Sequence, residues 1–292
     1  MHDFDFQAPR SLKRALSLLA RAGGQGRALA GGTDLIVQMK AGVQSPPLLV
    51  DVKGIPELGV LEFHGGEGLR IGAAVPLAKV AHFAPVRERF NLLGQACSAI
   101  GSLQVRNRGT VGGNLCNAAP SADTIPALIC LSARAIIAGP KGRREEAVED
   151  FFRGAGETVL APDELLVEIV VPEPPARSAG NYQKFTTREK MDIAIVGVAA
   201  FIALAPRSPR CQQARIALAA VAPTPLRARQ AEAALEGTTL EESAIEEAAQ
   251  RAARAAQPIS DVRASADYRR HLVQVLTGRA IRASLQELGR QP

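Results

Sequence analysis

Two glycine-rich turns constrain this chain more than any other feature: Ala30-Gly31-Gly32-Thr33-Asp34-Leu35 and Gly109-Thr110-Val111-Gly112-Gly113-Asn114-Leu115. Paired glycines lack the Cβ atoms that keep a ligand away from the backbone, and they allow turns that other residues resist. Successive N–H groups in such a turn form a concave nest for anionic oxygens. Thr33 and Thr110 add hydroxyls. The stretch Leu35 to Lys40 reads as a short helix, and its start adds a favourable dipole for phosphate. Two such turns together suit a diphosphate, which needs donors from two sides. Each turn alone also reads as a tight turn without a ligand. Neither is a G-x-G-x-x-G in a βαβ unit nor a G-x-x-x-x-G-K-[ST], so a Rossmann site and a P-loop are both poorly supported.

Around these turns the pattern alternates between helix and strand. Leu12, Ala15, Leu16 and Leu19 predict a helix over Ser11 to Arg21, ended by Gly23 and Gly24. Ala28 to Ala30 and Leu48 to Val52 read as strands, and Pro56 marks a break. From Ile55 to Ala74 short strands with Gly turns are expected, then helices over Leu77 to Phe83 and Pro85 to Ile100. Gly109 to Asn114 reads as a turn, and Leu128 to Ala138 and Leu165 to Val171 as strands. Pro172 to Gly180 is the linker candidate. Beyond it, Ile193 to Leu204 and Ala214 to Val221 read as adjacent strands. Ala231 to Leu235, Glu241 to Ala256 and Ala266 to Leu288 read as helices. Thr239 and Glu242 form a capping-box pattern. Tyr268, Leu272, Val275 and Leu276 make one face of the last helix, in which Gly278 is a candidate break. The expectation is an α+β chain in two parts, residues 1–175 and 176–292, the first dividing into about 1–56 and 57–175.

Composition narrows the function classes. With 47% apolar and 22% charged residues the balance is that of a globular protein. No apolar run is long enough for a membrane span, and Met1 to Arg10 does not read as a secretory signal, so a cytoplasmic location is expected. The net charge is +6, but the basic residues are scattered and aromatics are only 4%, which argues against nucleic acid. Cys97, Cys116, Cys130 and Cys211 match no common metal spacing and read as reduced, mostly buried thiols. His2, His64, His82 and His271 lie outside both turns and read as surface or loop residues. Asp123 follows a small-residue loop, Cys116 to Ala122. It reads either as a helix cap or as a carboxylate for the hydroxyls of a ribityl or ribose group.

As a set these segments become diagnostic. AGGTDLIVQMK (Ala30 to Lys40) and NRGTVGGNLCNAAPSADTIPAL (Asn107 to Leu128) resemble the flavin subunit or domain of the xanthine dehydrogenase family of molybdenum hydroxylases. The same holds for DELLVEIVVP (Asp163 to Pro172), YQKFTTREKMDIAIV (Tyr182 to Val196) and ASADYRRHLVQVL (Ala264 to Leu276). The resemblance spans essentially the whole chain in the expected order. It implies a two-subdomain FAD-binding domain of the PCMH type followed by a C-terminal α+β domain.

The resemblance also implies site residues. Diphosphate contacts fall on Leu29, Ala30, Gly31, Gly32, Thr33, Asp34 and Leu35, and on Thr110, Val111, Gly112, Gly113 and Asn114. The carboxylate for the sugar-like part of FAD falls on Asp123. A residue at the isoalloxazine face falls on Ile100, which also reads as helix core. A hydrophobic contact falls on Leu166. A lysine near the flavin falls on Lys184, which also reads as a surface salt bridge. The implied role is electron transfer from iron–sulfur clusters through FAD to an external acceptor. The implied partners are a [2Fe-2S] small subunit and a molybdopterin-binding large subunit, in a dimer of heterotrimers. No metal site is expected on this chain. Two other readings stand beside it: a self-sufficient flavin oxidase or dehydrogenase, and a flavin-free assembly subunit of the same fold.

Overall fold

The computed structural model describes residues 2–188 and 191–289. The chain begins with a three-stranded parallel sheet of Asp5–Gln7, Gly26–Leu29 and Leu48–Asp51, the last in the centre. Parallel neighbours require crossovers, supplied here by the helices Leu12–Arg21 and Leu35–Lys40. The first helix buries Leu12, Ala15 and Leu19, and Ser11 caps it by accepting from the Arg14 amide. All three strands run the same way. The segments after Gln7, Leu29 and Asp51 therefore emerge at one edge of the sheet, where ligands of open parallel sheets collect.

A five-stranded antiparallel sheet follows, in the order Leu61–His64, Gly68–Gly72, Leu165–Val171, Arg134–Gly139, Gly142–Ala147. Its central strand is apolar apart from Glu168, which pairs with Arg70 at 2.8 Å. The edge strand Gly142–Ala147 carries Arg143, Arg144, Glu145 and Glu146, charges that discourage pairing with another chain. Six short helices lie between Leu77 and Cys130, and all but Leu103–Arg108 contribute buried side chains to the core that this sheet shares.

A third sheet, antiparallel, contains Ser178–Phe185, Val196–Leu204, Cys211–Ala219 and Leu226–Arg227. Side chains alternate across a strand, and this sheet is covered on both sides. Ala199, Phe201, Ala203 and Ala217 join the core of the N-terminal part. Val196, Val198, Ala200, Ile202, Ile216 and Leu218 face the helices Glu242–Ala255 and Ala266–Leu288. Apolar residues are therefore required at nearly every position of Val196–Leu204.

Several expectations need correction. Leu128 to Ala138 is not one strand: Thr124–Cys130 is a helix buried on every side, and the strand starts at Arg134. A short apolar run carries no period that separates the two. Gly109 to Asn114 is not only a turn, since a helix spans Val111–Asn117. Pro85 to Ile100 divides into Ala84–Arg89 and Asn91–Ser98, broken at buried Phe90. The linker ends sooner than Gly180, because a strand begins at Ser178. The capping box does not form: Glu241 is the cap residue, Thr239 bonds Glu241, and Glu242 pairs with Arg282. Gly278 does not break the last helix, where it is buried. That helix buries Leu272, Val273 and Leu276, whereas Tyr268 is 45% exposed. Three of the four cysteines are buried, and Cys116 is exposed. Among the described residues no helix is long and apolar enough to cross a membrane.

Candidate functional site

The two glycine turns lie against each other. A Cβ on Gly31 would be driven into the Arg108 carbonyl, and one on Gly109 would meet Thr33 Oγ1 at 3.4 Å. The first turn leaves Leu29 at the end of its strand, and Gly32 adopts φ +74°. A left-handed step of this kind is one component of an anion nest. Among the described residues, the amides of Gly31, Gly32, Thr33, Asp34 and Leu35 donate to no protein acceptor. Such a run of donors without protein partners is suited to an anionic acceptor. Asp34 precedes the helix Leu35–Lys40 without capping it; instead its carboxylate accepts from Thr33 Oγ1 at 3.4 Å.

The second turn is more heavily used by the protein itself. Thr110 Oγ1 accepts from the Gly113 amide at 2.8 Å, capping the helix Val111–Asn117. Val111 is fully buried, and Gly112 is pressed on the backbone of Ala73, which excludes any side chain there. The Ala73 amide in turn donates to the Val167 carbonyl, one residue beyond buried Leu166. Asn114 Oδ1 accepts from Thr124 Oγ1 at 2.6 Å, tying this helix to the next. Gln38 reaches Asn117 from the first turn's helix at 3.3 Å.

Asp123 stands at the start of the helix Thr124–Cys130, yet it makes no capping bond. It is 6% exposed and accepts from Tyr182 Oη at 2.7 Å and Lys184 Nζ at 2.9 Å. Lys184 Nζ also donates to the Ala99 carbonyl at 3.2 Å, next to half-buried Ile100. Neither a surface salt bridge nor a helix cap describes this group. Burial pushes the Asp123 carboxyl up, against the pull of Lys184 and Tyr182. Burial and the Asp123 charge push the Tyr182 hydroxyl well up, and push the Cys97 thiol up to about 12. No strongly nucleophilic group results.

These contacts join the two turns to each other and, through Asn114 and Thr124, the second turn's helix to the element that carries Asp123. Ile100 and Leu166 are adjacent in sequence to residues bonded in this region, Ala99 and Val167. The structure also adds residues that the sequence reading left out. Gln95 Oε1 accepts from the Tyr182 amide at 2.9 Å. Gly197 makes room for the Tyr182 hydroxyl, which a Cβ would meet at 2.6 Å. Lys53 donates to the Ala30 carbonyl at 3.1 Å. Only Lys53 has a local signal: it closes an Asp-Val-Lys step after a parallel strand.

Comparison with known proteins decides the family. Residues 2–174 match the FAD binding domain in molybdopterin dehydrogenase. The chain belongs to that family. Residues 181–284 of this flavoprotein match the CO dehydrogenase flavoprotein C-terminal domain. It is 34% identical to the carbon monoxide dehydrogenase medium chain of Hydrogenophaga pseudoflava over 282 residues, 96% of each chain. It is 31% identical to the xanthine dehydrogenase FAD-binding subunit of Escherichia coli O157:H7, over 99% of each. Its fold superposes on carbon monoxide dehydrogenase from Hydrogenophaga pseudoflava with a TM-score of 0.94, covering 98% of both chains at 34% identity. Quinoline 2-oxidoreductase from Pseudomonas putida 86 gives 0.91, again over 98% of both, at 31% identity. The cofactor of the family is FAD. The five unpaired amides, opposed by a second glycine turn, fit its diphosphate.

Proposed function

We propose that this flavoprotein is the electron-transfer subunit of a molybdenum hydroxylase complex, working beside a [2Fe-2S] small subunit and a molybdopterin-binding large subunit. The observation that carries this is the unpaired amide array of Gly31 to Leu35 beside the second turn. The names of the relatives, medium chain and FAD-binding subunit, support the partnership. A dimer of heterotrimers in the cytoplasm is the matching assembly. Bound FAD supplies the step from single electrons, received from iron–sulfur clusters, to electron pairs given to an external acceptor.

The chain's own residues position and tune. Backbone donors of Gly31 to Leu35 would hold the diphosphate, with the second turn closing its other side; the Gly113 and Asn114 amides are already bonded to Thr110. Asp123 spends one lone pair each way on Tyr182 and Lys184, and a carboxylate retains further acceptor capacity for a ribityl or ribose hydroxyl. Ile100 and Leu166 supply apolar contact. Lys184 Nζ keeps a third N–H beyond its bonds to Asp123 and Ala99, and donated toward the flavin it would favour a reduced, anionic form. Among the described residues no three His, Cys, Asp or Glu side chains group as metal ligands.

The test is the visible spectrum of the chain purified alone and with co-expressed partners. The two-banded flavin spectrum with about one FAD per chain supports the cofactor role, and iron–sulfur absorbance in the co-purified sample supports electron transfer. Colourless protein in both samples sinks the proposal.

A further inference from the structure

Lys53 lies outside both glycine turns, yet it reaches into the first. It follows the central parallel strand by two residues, and its Nζ donates to the Ala30 carbonyl at 3.1 Å. The same Nζ pairs with Asp51 Oδ1 at 2.7 Å, and that oxygen also accepts from the Lys53 amide at 3.0 Å. Asp51 is in register with Leu29 on the neighbouring strand, and the Val52 amide donates to the Leu29 carbonyl at 3.1 Å. The lysine is therefore rooted directly across from the segment that leads into the nest.

We infer that Lys53, held by Asp51, is a positioning residue that presets the first amide of the phosphate-binding turn. The inference rests on the FAD reading above. In a trans peptide the carbonyl and the following N–H point in opposite directions, and the described chain has no cis peptide. Fixing the Ala30 carbonyl toward Lys53 therefore aims the Gly31 N–H away from it. Gly31 carries no Cβ that would otherwise restrict this peptide on its C-terminal side. The Lys53 bond removes that freedom before an anion arrives, which lowers the cost of binding. Attraction is the smaller contribution. The Asp51 carboxylate cancels the lysine charge at contact distance, and a 33% exposed lysine side chain is screened by water.

The test uses the full chain, stripped of flavin and titrated with FAD, with flavin fluorescence as the readout. Lys53→Met weakens FAD binding about tenfold, the size of one lost charge-assisted hydrogen bond. Lys53→Arg restores it to within about threefold, since a guanidinium reaches the same carbonyl. Asp51→Asn separates orientation from attraction. Its amide oxygen still accepts from the Lys53 amide, while the local charge becomes more positive. Orientation requires weaker FAD binding in this variant; simple attraction requires tighter binding. Tighter binding by Asp51→Asn overturns the inference. So does unchanged binding by Lys53→Met, or a drop in the flavin-free melting temperature that accounts for its whole loss of affinity. A wild-type chain that binds no FAD overturns the underlying cofactor reading instead.

Discussion

Lys184 Nζ lies 2.9 Å from Asp123 Oδ2, in an ion pair whose side chains are only 13% and 8% exposed. The pair joins the third sheet to the helix Thr124–Cys130, and so joins the two halves of the molecule. Removing one partner leaves a buried charge unpaired. Lys184→Met is expected to destabilise the flavin-free chain by about 3 kcal/mol, whereas the Asp123→Asn/Lys184→Met pair costs less than the sum of the single changes. Urea unfolding of the four proteins checks this, and strict additivity would refute it. In the FAD-loaded chain, Lys184→Ala shifts the flavin reduction potential to more negative values. An unchanged potential in a dye-coupled titration removes the lysine from flavin tuning.

Gly31 is fixed by the neighbouring turn, not by its own φ. A methyl group there meets the Arg108 carbonyl and forces the turns apart. Gly31→Ala should cost about 1–3 kcal/mol through overpacking and lower FAD affinity at least about tenfold. Gly65→Ala, where a Cβ meets nothing, should stay within about 0.5 kcal/mol. Equal effects at the two sites, measured by thermal melting and FAD titration, would contradict the packing of the turns.

Tyr182 and Gly197 form a matched pair across two strands. A Cβ on Gly197 comes 2.6 Å from Tyr182 Oη but 3.4 Å from Cζ. Tyr182→Phe loses one hydrogen bond, about 1 kcal/mol, and Gly197→Ala costs about 2 kcal/mol. Phenylalanine has no hydroxyl to collide, so the double variant is expected to be more stable than Gly197→Ala alone. A double variant less stable than both singles disproves the clash.

Asp261 contributes to the acid limb of stability. Hydrogen bonds from the Arg263 amide and the Arg269 guanidinium hold its carboxyl at about 2, below the ordinary 3.8. A depressed carboxyl stabilises the fold above its unfolded value, and that contribution is lost as pH falls from about 3.8 to about 2. Arg269, 4% exposed, also donates to the Ile195 and Ala220 carbonyls, so it depends on Asp261 as its counter-ion. Asp261→Asn should lower the melting temperature at neutral pH and flatten its decline between pH 4 and pH 2. A decline as steep as in the wild type would place the acid sensitivity elsewhere.

Much of this was legible in the order of residues. The Gly31-Gly32 and Gly112-Gly113 pairs declared backbone-lined turns, because only glycine tolerates a left-handed step or contact with another backbone. Leu12, Ala15 and Leu19 declared a helix through their spacing, and Val196–Leu204 declared a strand buried on both faces through its unbroken apolar run. Leu128 to Cys130 reads as the start of a strand although it is helical, because a helix surrounded by protein shows no amphipathic period.

The sequence by itself determined the family segments, the alternation of helix and strand, and the two glycine turns, since these depend on local geometry. Only the tertiary structure decided that Asp123 meets Lys184 and Tyr182, that Lys53 grips Ala30, and that Gly197 exists for a tyrosine hydroxyl. Those pairings join residues that are distant along the chain or on different strands, so no local pattern announces them; they form where folding brings donors within reach of acceptors that burial has withdrawn from water.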